Sequence, residues 1–197
     1  MAEELVGKGR RGLVYKTKYR GKDAVIKVEN PQSKAFERIE NEAHWLKILN
    51  RHSIGPKFYK LEKGSLIREY VEGDLILDFL ENGSKKKTIA VLKDIFMQCR
   101  KMDRLRVNKL EMHKPVKHIL VGNKPVMIDF ERCHITQKPK NVTQFSQFLI
   151  SKQVKPLLLK KGLYFETEEV IEANKDYKNK PSEKGFENIL EKFGLTS

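Results

Sequence analysis

Gly7, Gly9 and Gly12 follow G-x-G-x-x-G spacing, which lets a chain turn tightly and bring backbone N–H groups up to an anionic group. Lys27 follows inside the apolar run Ala24-Val25-Ile26-Lys27-Val28, where a charge is costly unless an anion sits beside it. Glu42 falls next to the apolar face of the following helical stretch and is the natural counter-ion for that lysine. Much further on, Asp129 closes the apolar run Val126-Met127-Ile128, and a carboxylate in that position suits a hard cation that takes oxygen ligands. Each feature also has a plain structural reading: an ordinary hairpin with a loose loop, a surface glutamate, an aspartate capping a turn. Taken together they point to a bound polyphosphate and its metal.

The elements that must position these residues can be read from periodicity. Leu13 to Tyr19 alternates apolar and polar and is rich in β-formers, so Gly12 opens a strand. A dinucleotide fold would open a helix there. Arg20-Gly21-Lys22 makes a turn into a second strand, 23–28. After Pro31, with Ser33 as N-cap, a helix is expected over 34–50, burying Phe36, Ile39, Ala43 and Leu46. Strands over 56–61 and 65–70 join near Lys63-Gly64, and a short helix spans 75–80. Asn82-Gly83-Ser84 breaks the chain before a helix over 85–104, where Ile89, Leu92, Phe96 and Cys99 share a face and mark Cys99 as core. Gly122-Asn123 between apolar runs signals a two-residue hairpin delivering Asp129 at a strand end. Asn141 is the expected cap of a helix carrying Val142, Phe145 and Leu149. Short helices follow over 157–161, 167–177 and 183–193, the last with a stripe of Phe186, Ile189, Leu190 and Phe193 ended by Gly194.

The glycine hairpin, the lysine strand, the helix segment Asn41-Glu42-Ala43-His44-Trp45-Leu46, the stretch Glu69-Tyr70-Val71-Glu72-Gly73 and the run Val126 to Phe130 together resemble the protein kinase fold. In size the chain is similar to the small atypical kinase-like proteins of archaea, the RIO-type and other compact kinases. The resemblance covers roughly residues 5–131. It implies an α+β fold with a small antiparallel-sheet N-lobe and hinge (1–73) and a helical C-lobe (74–197), forming one kinase-like domain. It implies ATP with Mg²⁺ or Mn²⁺, the nucleotide touching Gly7, Gly9, Gly12, Val14, Lys27, Glu42, Glu69 and Val71, and Asp129 holding the metal.

The sequence departs from that pattern in three places. Arg68 stands where an apolar residue usually lies beside adenine, and Glu131 stands where a glycine follows the D-F pair. Ahead of the 122–123 turn, the H-R-D-x-x-x-x-N loop has no counterpart for its aspartate. One alignment puts His113 at the aspartate position and His118 at the second metal-ligand position. The other matches His113-Lys114 to H-R, leaves Pro115 in the aspartate position and makes Lys117 the loop lysine. Three accounts stay open: His113 or Glu111 replaces the base; nucleotide binds without transfer; or His113, His118, Cys133 and His134 form a transition-metal site.

At 197 residues, 39% hydrophobic and 34% charged, the chain suits one compact domain, of one or two lobes, with a substantial core. No apolar run approaches the roughly 18 residues of a membrane span, and Met1-Ala2-Glu3-Glu4 does not read as a signal peptide. Two cysteines give no disulfide framework, so a reducing cytoplasm is expected. A net charge of +14 suits RNA or a ribosome as partner, or a lysine-rich solvated surface. The expected function is a serine/threonine protein kinase-like ATP phosphotransferase. The alternative is a pseudokinase or ATPase acting as a nucleotide-switched RNA-, ribosome- or protein-binding module.

Overall fold

In the computed structural model, residues 4–8, 12–30 and 38–196 are described. The glycine Gly9, the helix start with Phe36, and the Ser33 cap lie outside them. The protein is α+β, and its chain divides into two compact units, one of residues 1–72 with 126–133, the other of 73–125 with 134–197. The 126–133 stretch, sequence-distant from the rest, thus belongs with the first unit.

The first unit is built on five antiparallel strands: β1 (Glu4–Lys8), β2 (Gly12–Tyr19), β3 (Lys22–Glu29), β4 (Phe58–Glu62) and β5 (Ser65–Glu69). Their order is β1-β2-β3-β5-β4, which puts β3 in the middle. Tight turns at Arg20-Gly21 and Lys63-Gly64 join β2 to β3 and β4 to β5, as the Gly-containing breaks between alternating runs predict. Helix α1 (Arg38–Asn50) buries Ile39, Ala43, Trp45, Leu46 and Leu49. Asn50 closes this helix: its side chain donates to the carbonyls of Ile54 and Pro56, both at 3.0 Å, and accepts from Phe58 N at 2.7 Å. The chain is thereby steered straight from α1 into β4.

The second unit contains β6 (Asp74–Leu75), α2 (Ile76–Asn82), α3 (Lys85–Arg104), β7 (Val107–Asn108), β8 (Ile119–Val121), only the first residue of β9 (Pro125–Met127), whose other two residues belong to the first unit, β10 (His134–Ile135), α4 (Asn141–Leu149), α5 (Lys155–Lys160), α6 (Thr167–Asn179) and α7 (Glu183–Lys192). Helix α3 starts at a Ser84 cap and buries Leu92, Phe96, Cys99 and Met102, while Ile89 is only half-buried. Phe96 is the hub of the core, its ring centroid 4.9 Å from Phe145 on α4 and 5.7 Å from Phe193 just past α7. Both cysteines are buried thiols.

Two local expectations are corrected. The connection from β8 to β9 takes three residues, 122–124, and neither Gly122 nor Asn123 adopts the positive φ of a two-residue primed turn. Asn141 does not cap α4 with its side chain; it lies inside the helix, and Lys140 occupies the cap position. The cap is supplied from α3: Asp103 Oδ1 accepts from Asn141 N at 3.0 Å and from Asn141 Nδ2 at 2.7 Å, and Asp103 Oδ2 accepts from Val142 N at 3.4 Å. Among the described residues no helix is long and apolar enough to cross a membrane.

Candidate functional site: a lysine among three carboxylates

Lys27 sits on the central strand β3, directly opposite Val14 of β2 and Leu66 of β5. Opposed residues and residues two apart on a strand share a face. Val14, Val25, Lys27, Leu66 and Arg68 therefore form one patch on a single side of the sheet. Gly12 suits this packing, because a Cβ there would lie a tight 3.1 Å from the Val28 carbonyl oxygen and 3.2 Å from Cε of Lys27. Gly7 pairs with Val14 in the same hairpin, where a Cβ would meet Val14 at an ordinary 3.4 Å.

Helix α1 brings the first acid. Glu42, wholly buried, places Oε2 2.5 Å from Lys27 Nζ. Its other oxygen has no hydrogen bond and lies 3.9 Å from Nε of Arg68, which is itself buried and without a partner at that nitrogen. Helical spacing sets two more residues of α1 near this acid: Arg38 one turn before Glu42, and Asn41 one turn after Arg38.

The remaining acids come from the turn after β9. Phe130 is buried against Gly55 and Leu46: a Cβ on Gly55 would come within 2.8 Å of the phenylalanine ring and 2.9 Å of Leu46. That anchor fixes Asp129, whose φ of 62° is left-handed and strained for a non-glycine residue. Asp129 Oδ1 lies 3.0 Å from Lys27 Nζ, and Glu131 Oε2 lies 3.3 Å from it. Glu131 is clamped: Arg38 Nη1 donates to Oε1 at 3.1 Å, and Asn41 Nδ2 donates to its backbone carbonyl at 2.8 Å and to that of Cys133 at 3.3 Å.

Burial alone would pull the Lys27 ammonium below its usual pKa, but Glu42, Asp129 and Glu131 outweigh it and hold the group above that value. Arg68 is shifted the other way, because burial dominates over the attraction of Glu42, Asp129 and Glu69. Glu42, Asp129 and Glu131 each offer an oxygen within 4.8 Å of the others, the one such group of metal-capable side chains among the described residues. An all-oxygen set fits Mg²⁺ or Mn²⁺ and does not fit a soft transition-metal centre. The histidine and cysteine set of the sequence reading forms no such group.

Of the other expected nucleotide contacts, Gly9 lies outside the described residues, and Val14 is half-buried on the lysine face. Glu69 has both backbone groups engaged within its own unit, its N–H donating to Lys57 O at 2.9 Å and its carbonyl accepting from Arg68 Nη1 at 3.2 Å. Its side chain accepts from Lys57 N at 3.0 Å. Val71 follows, half-buried and outside any strand. Glu111, His113, Lys117 and His118 belong to the second unit. His113 and Lys117 are exposed, while Glu111 Oε2 and His118 Nδ1 lie 3.5 Å apart. Leu110 and Glu111 have consecutive positive φ values of 59° and 49°, a strained pair. Arg38 and Asn41 were missed by sequence reasoning; their i, i+3, i+4 spacing with Glu42 was the available signal.

The fold and cluster thus define an α+β protein with a buried lysine held by three carboxylates. No protein-family model and no curated protein matches this chain.

Proposed function

We propose that the chain is an ATP-dependent phosphotransferase of protein kinase-like fold that uses a divalent cation and modifies serine or threonine hydroxyls through a non-standard catalytic loop. What carries this reading is the convergence on Lys27 Nζ of Glu42 from a helix and of Asp129 and Glu131 from a remote turn, at 2.5, 3.0 and 3.3 Å. The glycine hairpin, packed through Gly12 against Lys27, supports it.

In this reading the hairpin backbone cradles the phosphates and Lys27 donates to their oxygens, oriented by Glu42. Asp129 and Glu131 would hold Mg²⁺ or Mn²⁺, which when bound supplies neutralisation of the charge on the transferring phosphoryl group. The bond from the γ-phosphorus to its bridging oxygen breaks as the bond to the acceptor oxygen forms. The hydroxyl proton is assigned to His113 or Glu111 by the alignment alone, and ADP leaves. Lys117 is assigned to the transferred phosphoryl group and His118 to the second metal position by resemblance alone.

The test is a single-turnover assay with γ-labelled ATP and Mg²⁺ or Mn²⁺. Label on protein is the expected result, and Lys27→Met should abolish it together with the ATP-induced stabilisation, about 2.7 kcal/mol at a hundredfold excess over Kd, read as a rise in melting temperature. Free phosphate would make the protein an ATPase. Retained nucleotide with no transfer would make it a nucleotide-switched module for RNA, ribosome or protein. No melting shift at all would remove the pocket.

A further inference from the structure

A lysine ammonium has three N–H bonds to give, and here each faces a carboxylate oxygen, of Glu42, Asp129 and Glu131 in turn. The ammonium is spent. Glu131 does not simply swing away, because Arg38 holds its second oxygen and Asn41 its carbonyl, leaving its side chain only 8% exposed. Among the described residues the three acids are paired with Lys27, Arg38 and Arg68. A metal-free polyphosphate would gain no donor from Lys27 and would meet the two acids of the turn.

We propose that Glu131, held by Arg38 and Asn41, is a positioning residue that makes nucleotide binding conditional on a divalent cation. This inference rests on the nucleotide reading above. Lys27 becomes available to a phosphate oxygen only when Asp129 and Glu131 have a divalent cation to bind in place of the ammonium. Cation and nucleotide then assist one another by the same factor in either order of addition. Glycine at position 131 would leave Lys27 with a free donor and would give no such requirement.

The measurement is calorimetric titration of the intact protein with a non-hydrolysable ATP analogue, once with chelator and once with Mg²⁺. Wild type should bind the analogue with Mg²⁺ and lose a hundredfold or more with chelator. Glu131→Gln removes one charge from the ammonium's shell, and a freed charge-assisted hydrogen bond should raise metal-free affinity about tenfold. The ratio of affinities with and without Mg²⁺ should shrink accordingly. Asn41→Leu keeps every charge in place and only releases the Glu131 backbone, so it should shift metal-free affinity the same way by less. If both variants keep wild-type metal-free affinity while Lys27→Met abolishes binding with Mg²⁺, the role of Glu131 is wrong and the nucleotide site stands. If wild type binds the analogue under neither condition, both fall.

Discussion

Lys27 changes what its three neighbours cost, and the largest consequence falls on Glu42. That carboxylate has no exposure, and without the ammonium the cation left beside it among the described residues would be Arg68, 3.9 Å from the far oxygen, with the acids Asp129 and Glu131 still close by. Breaking a buried pair by removing one partner costs about 3–5 kcal/mol, so Lys27→Met should be less stable by that order in urea. The pH dependence separates charge from packing. In wild type the Lys27 pKa is raised in the folded state: burial lowers it, and Glu42, Asp129 and Glu131 more than compensate. A cation raised in this way contributes fully below its unfolded value of about 10.4 and loses that contribution only as pH climbs through the folded value. Lys27 therefore adds no slope at neutral pH. The deficit of Lys27→Met should hold its size through neutral pH and shrink only as pH climbs above about 10.4. A deficit that keeps its full size there as well would assign the loss to the lysine's aliphatic stem instead.

Among the elements, α4 shows how a helix end can be held from elsewhere. Its first amides, at Asn141 and Val142, donate to Asp103 of α3, and Tyr177 of α6 donates its hydroxyl to the same carboxylate at 3.1 Å. Asn141 completes the junction by accepting from Lys109 N and donating to the Val107 carbonyl. Burial pushes the Asp103 carboxyl up, and the donors from Asn141, Val142 and Tyr177 oppose that shift. Asp103→Ala would leave several buried donors unmet, and a loss of about 2–4 kcal/mol in urea unfolding is expected. A change within about 0.5 kcal/mol would mean that apolar packing alone seats α4. This junction also marks the boundary of what the sequence could tell. Helix α3 was legible to the residue because its apolar positions recur at helical spacing beneath a serine cap. Lys27 was legible because a charge inside an apolar strand must have a reason. The Asn141 side chain was misassigned because its partner lies on another element, and local spacing carries no record of that. Arg38 and Asn41 were signalled only by their one-turn spacing on α1, since the Glu131 they clamp is far away in the chain. Strands β6, β7 and β10, two residues each, are too short to alternate.

For the molecule as a whole, an excess of 40 basic over 26 acidic side chains is what the local chemistry leaves unexplained. The lysine cluster absorbs little of it, because its described acids and cations are equal in number. Exposed lysines instead line a cavity of about 360 Å³ between α4 and α6, where Lys140, Lys175 and Lys178 stand beside the amides of Gln144, Gln147 and Asn174. Side-chain amides beside cations can meet base edges and phosphates together, so this groove is the place to test RNA as a partner. Neutralising phosphates releases counter-ions, and on single strands each contact contributes a slope of about −0.7 in log K against log [salt]. Single-stranded RNA binding, followed by fluorescence anisotropy across a salt series, should weaken steeply as salt rises. Replacing Lys140, Lys175 and Lys178 with glutamine should lessen the slope by about 2 if all three contact phosphate. Because Lys175 also pairs with Glu172 at 3.0 Å, its share should be the smallest of the three. A slope unchanged by the triple substitution would move the RNA surface off this groove. No binding at low salt would leave the +14 charge as a solvated surface with no nucleic-acid role.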